Sequence, residues 1–198
     1  MQSLPPVICL ASASPRRREL LLQLGVPHSV RGAYIDETPQ RAESPRDYVV
    51  RIACAKASAV RAHEHSLPVL GADTVVVVDG AMFGKPAGRA QGLAMLAALS
   101  GRVHEVLSAV ALATARGIDT AVSASAVAFR ALSDEECRAY WQSGEPHDKA
   151  GAYAIQGLAA AFIESLNGSY SGVMGLPLFE TAALLRAAGV AYGQYPAR

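Results

Sequence analysis

Val7-Ile8-Cys9-Leu10-Ala11-Ser12-Ala13-Ser14-Pro15-Arg16-Arg17-Arg18-Glu19-Leu20-Leu21 passes from a short apolar run, through two hydroxyls and a proline, into a segment with leucines on one face. The run at 7–11 has the length and continuity of a buried strand. Ser14 is a good helix N-cap, and Pro15 suits the first helical position, where its missing N–H costs nothing. Leu20, Leu21 and Leu24 share an apolar face before Gly25 ends the helix. A strand, a tight loop and a helix therefore follow one another, which is the building unit of an α/β fold.

The Ser-Pro start recurs at Ser44-Pro45-Arg46-Asp47, with an acid at the capping-box position, and opens a second helix that runs to about Arg61. Between the helices lie a strand around residues 29–33 and a polar loop with Asp36 and Glu37. Residues 69–72 and 74–78 are strand-like and joined through Asp73, and Asp79-Gly80 is a strong hairpin turn. Residues 89–99 read as a third helix closed by Gly101. Long alternating strands at 103–113 and 118–129 flank a turn at Arg116-Gly117. Ser133-Asp134-Glu135-Glu136 is a capping box that opens a fourth helix. Residues 158–166 read as a strand, Asn167-Gly168 as a turn, and Pro177 opens a last helix that Gly189 ends. Helices and strands alternate irregularly with hairpins between them, so the expectation is an α/β fold with a mixed sheet. No repeat or linker divides the chain, and one domain over residues 1–198 is expected.

Composition narrows the function classes. A chain of 198 residues, 51% of them apolar, can bury one sizeable core. With 18 Lys and Arg against 17 acids the formal charge is +1, which argues against the broad basic surface that nucleic-acid binding needs. Any anionic partner must be met locally. Cys9, Cys54 and Cys137 are odd in number, widely spaced and without a CxxC pair, so neither a disulfide framework nor a structural zinc site is expected. Ala11-Ser12-Ala13 mimics a signal-peptidase site, but the apolar run before it is too short and has no basic flank. Nothing approaches the ~20 apolar residues of a membrane span. A soluble, cytoplasmic protein with no membrane partner is expected.

Local chemistry concentrates at a few places. Ser12 and Ser14, the backbone N–H groups between them, and two or three guanidiniums among Arg16, Arg17 and Arg18 meet at the positive end of a helix, which reads as a phosphate site or else as a capped helix with a solvated basic first turn. Basic residues there oppose the helix dipole, and three in a row are hard to justify on stability alone. Asp73 is an acid inside apolar β-structure, where an unpaired charge would cost several kcal/mol if buried. Such an acid serves as a metal ligand or general base, or else caps a turn. Gly84-Lys85-Pro86 sets a cation beside a glycine but falls one residue short of P-loop spacing. Lys56, on the second helix, reads from spacing more readily as a solvated residue than as a second phosphate clamp. The polar stretch 144–157 ends with Gln156, whose amide could pair with a base edge. His63-Glu64-His65 reads as solvated surface rather than a metal site, and Gly168-Ser169-Tyr170-Ser171-Gly172 fails the spacing of a nucleophile elbow.

Taken together, Ala11-Ser12-Ala13-Ser14-Pro15-Arg16-Arg17-Arg18-Glu19-Leu20-Leu21, Gly71-Ala72-Asp73-Thr74-Val75-Val76, Gly84-Lys85-Pro86, Ser100-Gly101-Arg102-Val103-His104, Asp148-Lys149-Ala150-Gly151-Ala152-Tyr153, and Asn167-Gly168-Ser169-Tyr170 with Gly175-Leu176-Pro177 resemble the Maf family, in that order, from about residue 7 to residue 185. The resemblance implies a nucleoside-triphosphate pyrophosphatase with an elongated mixed sheet flanked by helices, two lobes and a cleft, as in inosine-triphosphate pyrophosphatases. It implies that Asp73 accepts the proton of the attacking water and that Arg16, Thr74 and Gln156 set substrate choice. Lys56 and Lys85 match phosphate-contacting lysines, and Glu37 matches an acid that, with Asp73, lies near a divalent metal, Mg²⁺ or Mn²⁺. The segment from Asp148 to Gln156 resembles the dTTP/UTP branch rather than the 7-methyl-GTP branch, which tends to carry Cys where Lys149 stands. Phe83 departs from the family, where a Leu or an acid is more usual before Gly84. A homodimer is also implied. The competing reading is a non-catalytic nucleotide-binding regulator of septation, which would need the phosphate clamp but neither Asp73 nor Glu37.

Overall fold

A computed structural model of the chain describes residues 4–193. Strand β1 (Ile8–Leu10) leads into helix α1 (Pro15–Gln23), β2 (His28–Val30) and α2 (Pro45–Arg61). Then follow β3 (Val69–Val78), β4 (Ala81–Phe83), α3 (Arg89–Leu99), β5 (Val103–Thr114), β6 (Gly117–Phe129) and α4 (Asp134–Gln142). Three short 3-10 turns lead to β7 (Ile163–Asn167), α5 (Tyr170–Met174) and α6 (Leu178–Ala187).

The serine starts act as caps. Ser44 Oγ accepts from the Asp47 N–H at 3.1 Å, and Ser133 and Glu136 form a complete reciprocal box. At α2 the shorter Asp47 carboxylate instead takes the Ser44 hydroxyl proton at 2.6 Å. Asp79 and Gly80 both adopt positive φ, 50° and 76°, as a two-residue β-hairpin requires. The strand expected over residues 158–166 is only partly formed: Leu158–Phe162 is a 3-10 turn, and the strand is Ile163–Asn167. The alanines at 159–161 carry no β-branched side chain to hold a ladder. The Glu145 carboxylate also accepts from the N–H groups of Leu158 and Ala159, at 2.9 and 3.3 Å, curling the segment. The short helix α5, capped by Ser169, has no counterpart in the pattern of the sequence.

The seven strands form one mixed sheet in the order β2-β1-β3-β5-β6-β7, with β4 added on β3. β1 runs parallel to β2 and β3, and the remaining pairings are antiparallel. Three apolar clusters hold the layers together. Val49, Ala53 and Ala57 of α2 pack on Val69, Val75 and Leu107. On the opposite face Leu20, Leu21 and Leu185 pack on Leu10, Leu70 and Leu112. Beyond the middle of the sheet, Leu96, Leu99 and Tyr140 pack on Val76, Val106 and Phe129. No described helix is long and apolar enough to cross a membrane.

One feature of the pairing creates the cleft. On one edge of β3, β1 pairs with Val69 and Leu70, while β4 pairs with residues 76–78. Between them, residues 71–75 face no strand on that edge among the described residues, and the sheet opens there. On the α2 face of this gap Gly71 cannot be replaced without displacement, because a Cβ would lie 2.3 Å from the Ala53 carbonyl oxygen. The missing side chain lets α2 lie directly on β3.

Candidate active site

The close approach at Gly71 carries Lys56 to Asp73, two residues farther along the same face of β3. Lys56 Nζ lies 2.8 Å from Asp73 Oδ1 and 2.9 Å from Glu37 Oε1. The solvated reading of Lys56 is overturned: the residue is 8% exposed and Asp73 6%. Burial pushes the Asp73 carboxyl above the usual carboxylate range, against the opposing pull of Lys56 and Arg17. A carboxylate made more basic in this way is a better proton acceptor near neutral pH.

Glu37 reaches the same ammonium group from the loop between β2 and α2. Tyr48 of α2 donates its hydroxyl to the Glu37 carbonyl at 3.0 Å. Arg51, which pairs with Glu43, also donates to the Thr38 carbonyl at 3.1 Å. That partner holds the Glu43 carboxyl down at about 2. The loop is thus clamped to α2 at Glu37 itself and at the residue after it.

Across the gap, the turn from β1 into α1 supplies donors. Ser12 Oγ accepts from the Ser14 N–H and from Arg17 at 3.2 and 3.3 Å, and Arg17 Nε donates to the Gly175 carbonyl at 2.8 Å. Ser14 Oγ lies 3.5 Å from the Arg17 N–H. No carboxylate pairs with the Arg17 guanidinium among the described residues, and burial lowers its pKa. A cation held this way is stabilised by an anion arriving from solvent. Arg16 turns toward Asp148 at 3.6 Å. Arg18 is exposed and does not line the cleft.

The far wall comes from the segment after α4. Gly151, at φ +68°, donates its N–H to the Gly84 carbonyl at 3.1 Å. A Cβ there would lie 2.8 Å from Val76 Cγ2, so the segment fits against β3 only as glycine. This contact joins Gly84-Lys85-Pro86 to the stretch 148–156. Lys85 and Gln156 are both exposed at the rim. Thr74, on the opposite face of β3 from Asp73, sets its Oγ1 2.8 Å from Ser108 Oγ.

The resulting cleft has a volume of about 610 Å³, within the range usual for a small-molecule site. Of the residues singled out in the sequence, Ser12, Ser14, Arg16, Arg17, Glu37, Lys56, Asp73, Thr74, Lys85 and Gln156 line it, and Arg18 does not. The described residues contain no group of three or more His, Cys, Asp or Glu side chains suited to a metal, and His63 and His65 are exposed. Sequence reasoning missed the supports, namely Tyr48, Arg51 with Glu43, and Ser108. They carry no motif, and only the register of β3 on β5 or the packing of the loop on α2 brings them in.

A family model described as Maf-like protein matches residues 7–188. The dTTP/UTP pyrophosphatase of Bordetella parapertussis is 55% identical over 196 residues, covering 94% of this chain and 95% of that protein. The dTTP/UTP pyrophosphatase of Burkholderia pseudomallei is 52% identical over 200 residues, with 94% and 96% covered.

Proposed function

Since the chain belongs to the Maf-like proteins, we propose that it is a nucleoside-triphosphate pyrophosphatase that hydrolyses dTTP and UTP to the monophosphate and pyrophosphate. The observation that carries this reading is the basic, buried Asp73 on a cleft whose other walls bear Arg16, Arg17, Lys56 and Lys85. Cations without a proton acceptor would suit a nucleotide sensor. The acid among them favours an enzyme.

In this reading Asp73 takes the proton of a water that attacks the α-phosphorus, opposite the departing pyrophosphate. Arg17 and the serine turn hold phosphate oxygens at the start of α1. Lys56 leaves Asp73 for the polyanion as the substrate enters, which frees the carboxylate to act as base. Lys85 and Arg16 neutralise the leaving group from the rim, and Gln156 pairs with the edge of the pyrimidine. Asp73 and Glu37 also fit a divalent cation, Mg²⁺ or Mn²⁺: both carboxylates already flank one cationic group, and Mg²⁺ is usually held by one or two carboxylates plus substrate phosphates. Bound there, it would supply charge neutralisation across the phosphate oxygens. A cytoplasmic location and a homodimer belong to the proposal through the family resemblance.

A nucleotide panel incubated with Mg²⁺, each product identified by chromatography, tests the reading. The expected products from dTTP and UTP are the monophosphate and pyrophosphate. Orthophosphate release, or tight binding without turnover, overturns it.

A further inference from the structure

Resting on that reading of the cleft, we propose that Ser108 is a positioning residue that fixes the Thr74 hydroxyl as an acceptor, so that the nucleoside is recognised there through a hydrogen-bond donor of its own. Thr74 and Ser108 are register partners on β3 and β5, with their Oγ atoms 2.8 Å apart. Ser108 is 1% exposed, and its Oγ lies 2.6 Å from the Gly172 carbonyl oxygen. A carbonyl has no proton to give, and a serine hydroxyl has one. That proton goes to Gly172, so the Ser108 oxygen can only accept on its other side. The hydrogen between the two hydroxyls therefore belongs to Thr74. Thr74 commits its single proton inside the sheet and turns only lone pairs to the cleft.

A cross-strand Thr–Ser pair can simply satisfy itself. Here the two members are not equivalent. Thr74 is partly buried and lines the cleft, whereas Ser108 is sealed behind it and does not. The chain of bonds also ends on the turn whose Gly175 carbonyl holds Arg17, so Thr74 is oriented by the same segment that orients a cation of the site.

The polarity decides the partner class. A phosphate oxygen offers no proton at neutral pH, so Thr74 does not serve the polyphosphate. What faces it is a neutral donor, either the imide N–H of thymine or uracil or a sugar hydroxyl. Cytosine carries a lone pair where the imide has its N–H.

The test compares kcat/KM of the wild type, Ser108→Ala and Ser108→Thr on dTTP, dCTP and 2′,3′-dideoxythymidine triphosphate. Alanine frees the Thr74 hydroxyl to rotate and donate, while threonine keeps both the proton and the lone pairs. If the donor is the imide, Ser108→Ala narrows the preference for dTTP over dCTP by about tenfold, the scale of one neutral hydrogen bond, and leaves the dideoxy ratio unchanged. If it is the 3′-hydroxyl, the dideoxy ratio narrows instead. In either case Ser108→Thr restores the wild-type ratios. Should Ser108→Ala not fold, Ser108→Cys, a weak acceptor, carries the same expectation. Equal losses on all three substrates, unchanged ratios, or no rescue by threonine overturn the proposal. A wild type that cleaves all three equally overturns this proposal alone. One that releases pyrophosphate from none overturns the proposed function with it.

Discussion

Asp73 and His104 are both titratable side chains buried in the same sheet, 6% and 2% exposed, and they are kept in opposite ways. Asp73 sits where β1 and β4 leave the edge of β3 uncovered, and it meets a lysine that also pairs with a second acid. His104 sits within the third cluster, its ring edge-on to Phe129 and Tyr153, with Nε2 2.9 Å from the Tyr153 hydroxyl and Nδ1 without a partner among the described residues. Burial alone lowers the His104 pKa to about 4, so it is neutral at pH 7. The difference shows that burial does not mark a reactive group. A buried acid paired to a lysine at an opening can exchange that partner for an incoming charge, whereas a histidine enclosed by rings is held in one state.

The comparison breaks most directly at Asp73. Replacing it with Asn is expected to lower turnover of dTTP by about 10² or more, the scale of losing a general base, with the unfolding transition retained. Pyrophosphate release at the wild-type rate would make Asp73 as inert as His104. Next in size, Lys56→Met removes the cation from between two acids and is expected to cost about 3 kcal/mol or more in urea unfolding at pH 7, as when one partner of a buried pair is removed. The Asp73 carboxyl is more basic folded than unfolded. Stability of that variant should therefore rise as pH falls toward 5, and a flat profile would count against the Lys56–Asp73 coupling.

At His104 the sign is reversed. The folded pKa of about 4 lies below the ordinary 6.5, so the neutral ring contributes stability above pH 6.5 that is lost as pH falls toward 4. That loss amounts to about 3 kcal/mol. His104→Gln, which stays neutral, should lack this share of the acid sensitivity when unfolding curves at pH 7 and 4.5 are compared with those of the wild type. Tyr153→Phe is expected to show the smallest effect, about 1 kcal/mol at pH 7 for a lost neutral hydrogen bond. A cost several times larger would mean that the Tyr153 hydroxyl does more than satisfy His104.

Much of this was legible in the sequence, for identifiable reasons. Ser14-Pro15, Ser44-Pro45 and Ser133 through Glu136 announced three helices because capping chemistry is local. The candidate cleft residues were legible because short motifs carry them. What was hidden depends on contacts between distant segments. The burial of Lys56 follows from the absence of a side chain at Gly71, fifteen residues downstream, and helix spacing alone pointed the other way. The turn at Leu158–Phe162 follows from Glu145, and the polarity of Thr74 from a serine on the next strand.

The contact between Arg16 and Asp148 has a consequence for entry to the cleft. It joins α1 to the segment after α4, and the Asp148 side chain is 62% exposed. Exposed ion pairs contribute little and are screened by dissolved salt. The two rims are thus tethered by a contact that breathes with ionic strength, and a polyanion arriving at Arg16 competes for the guanidinium that ties them. The incoming guest loosens the latch by the same charge that draws it in.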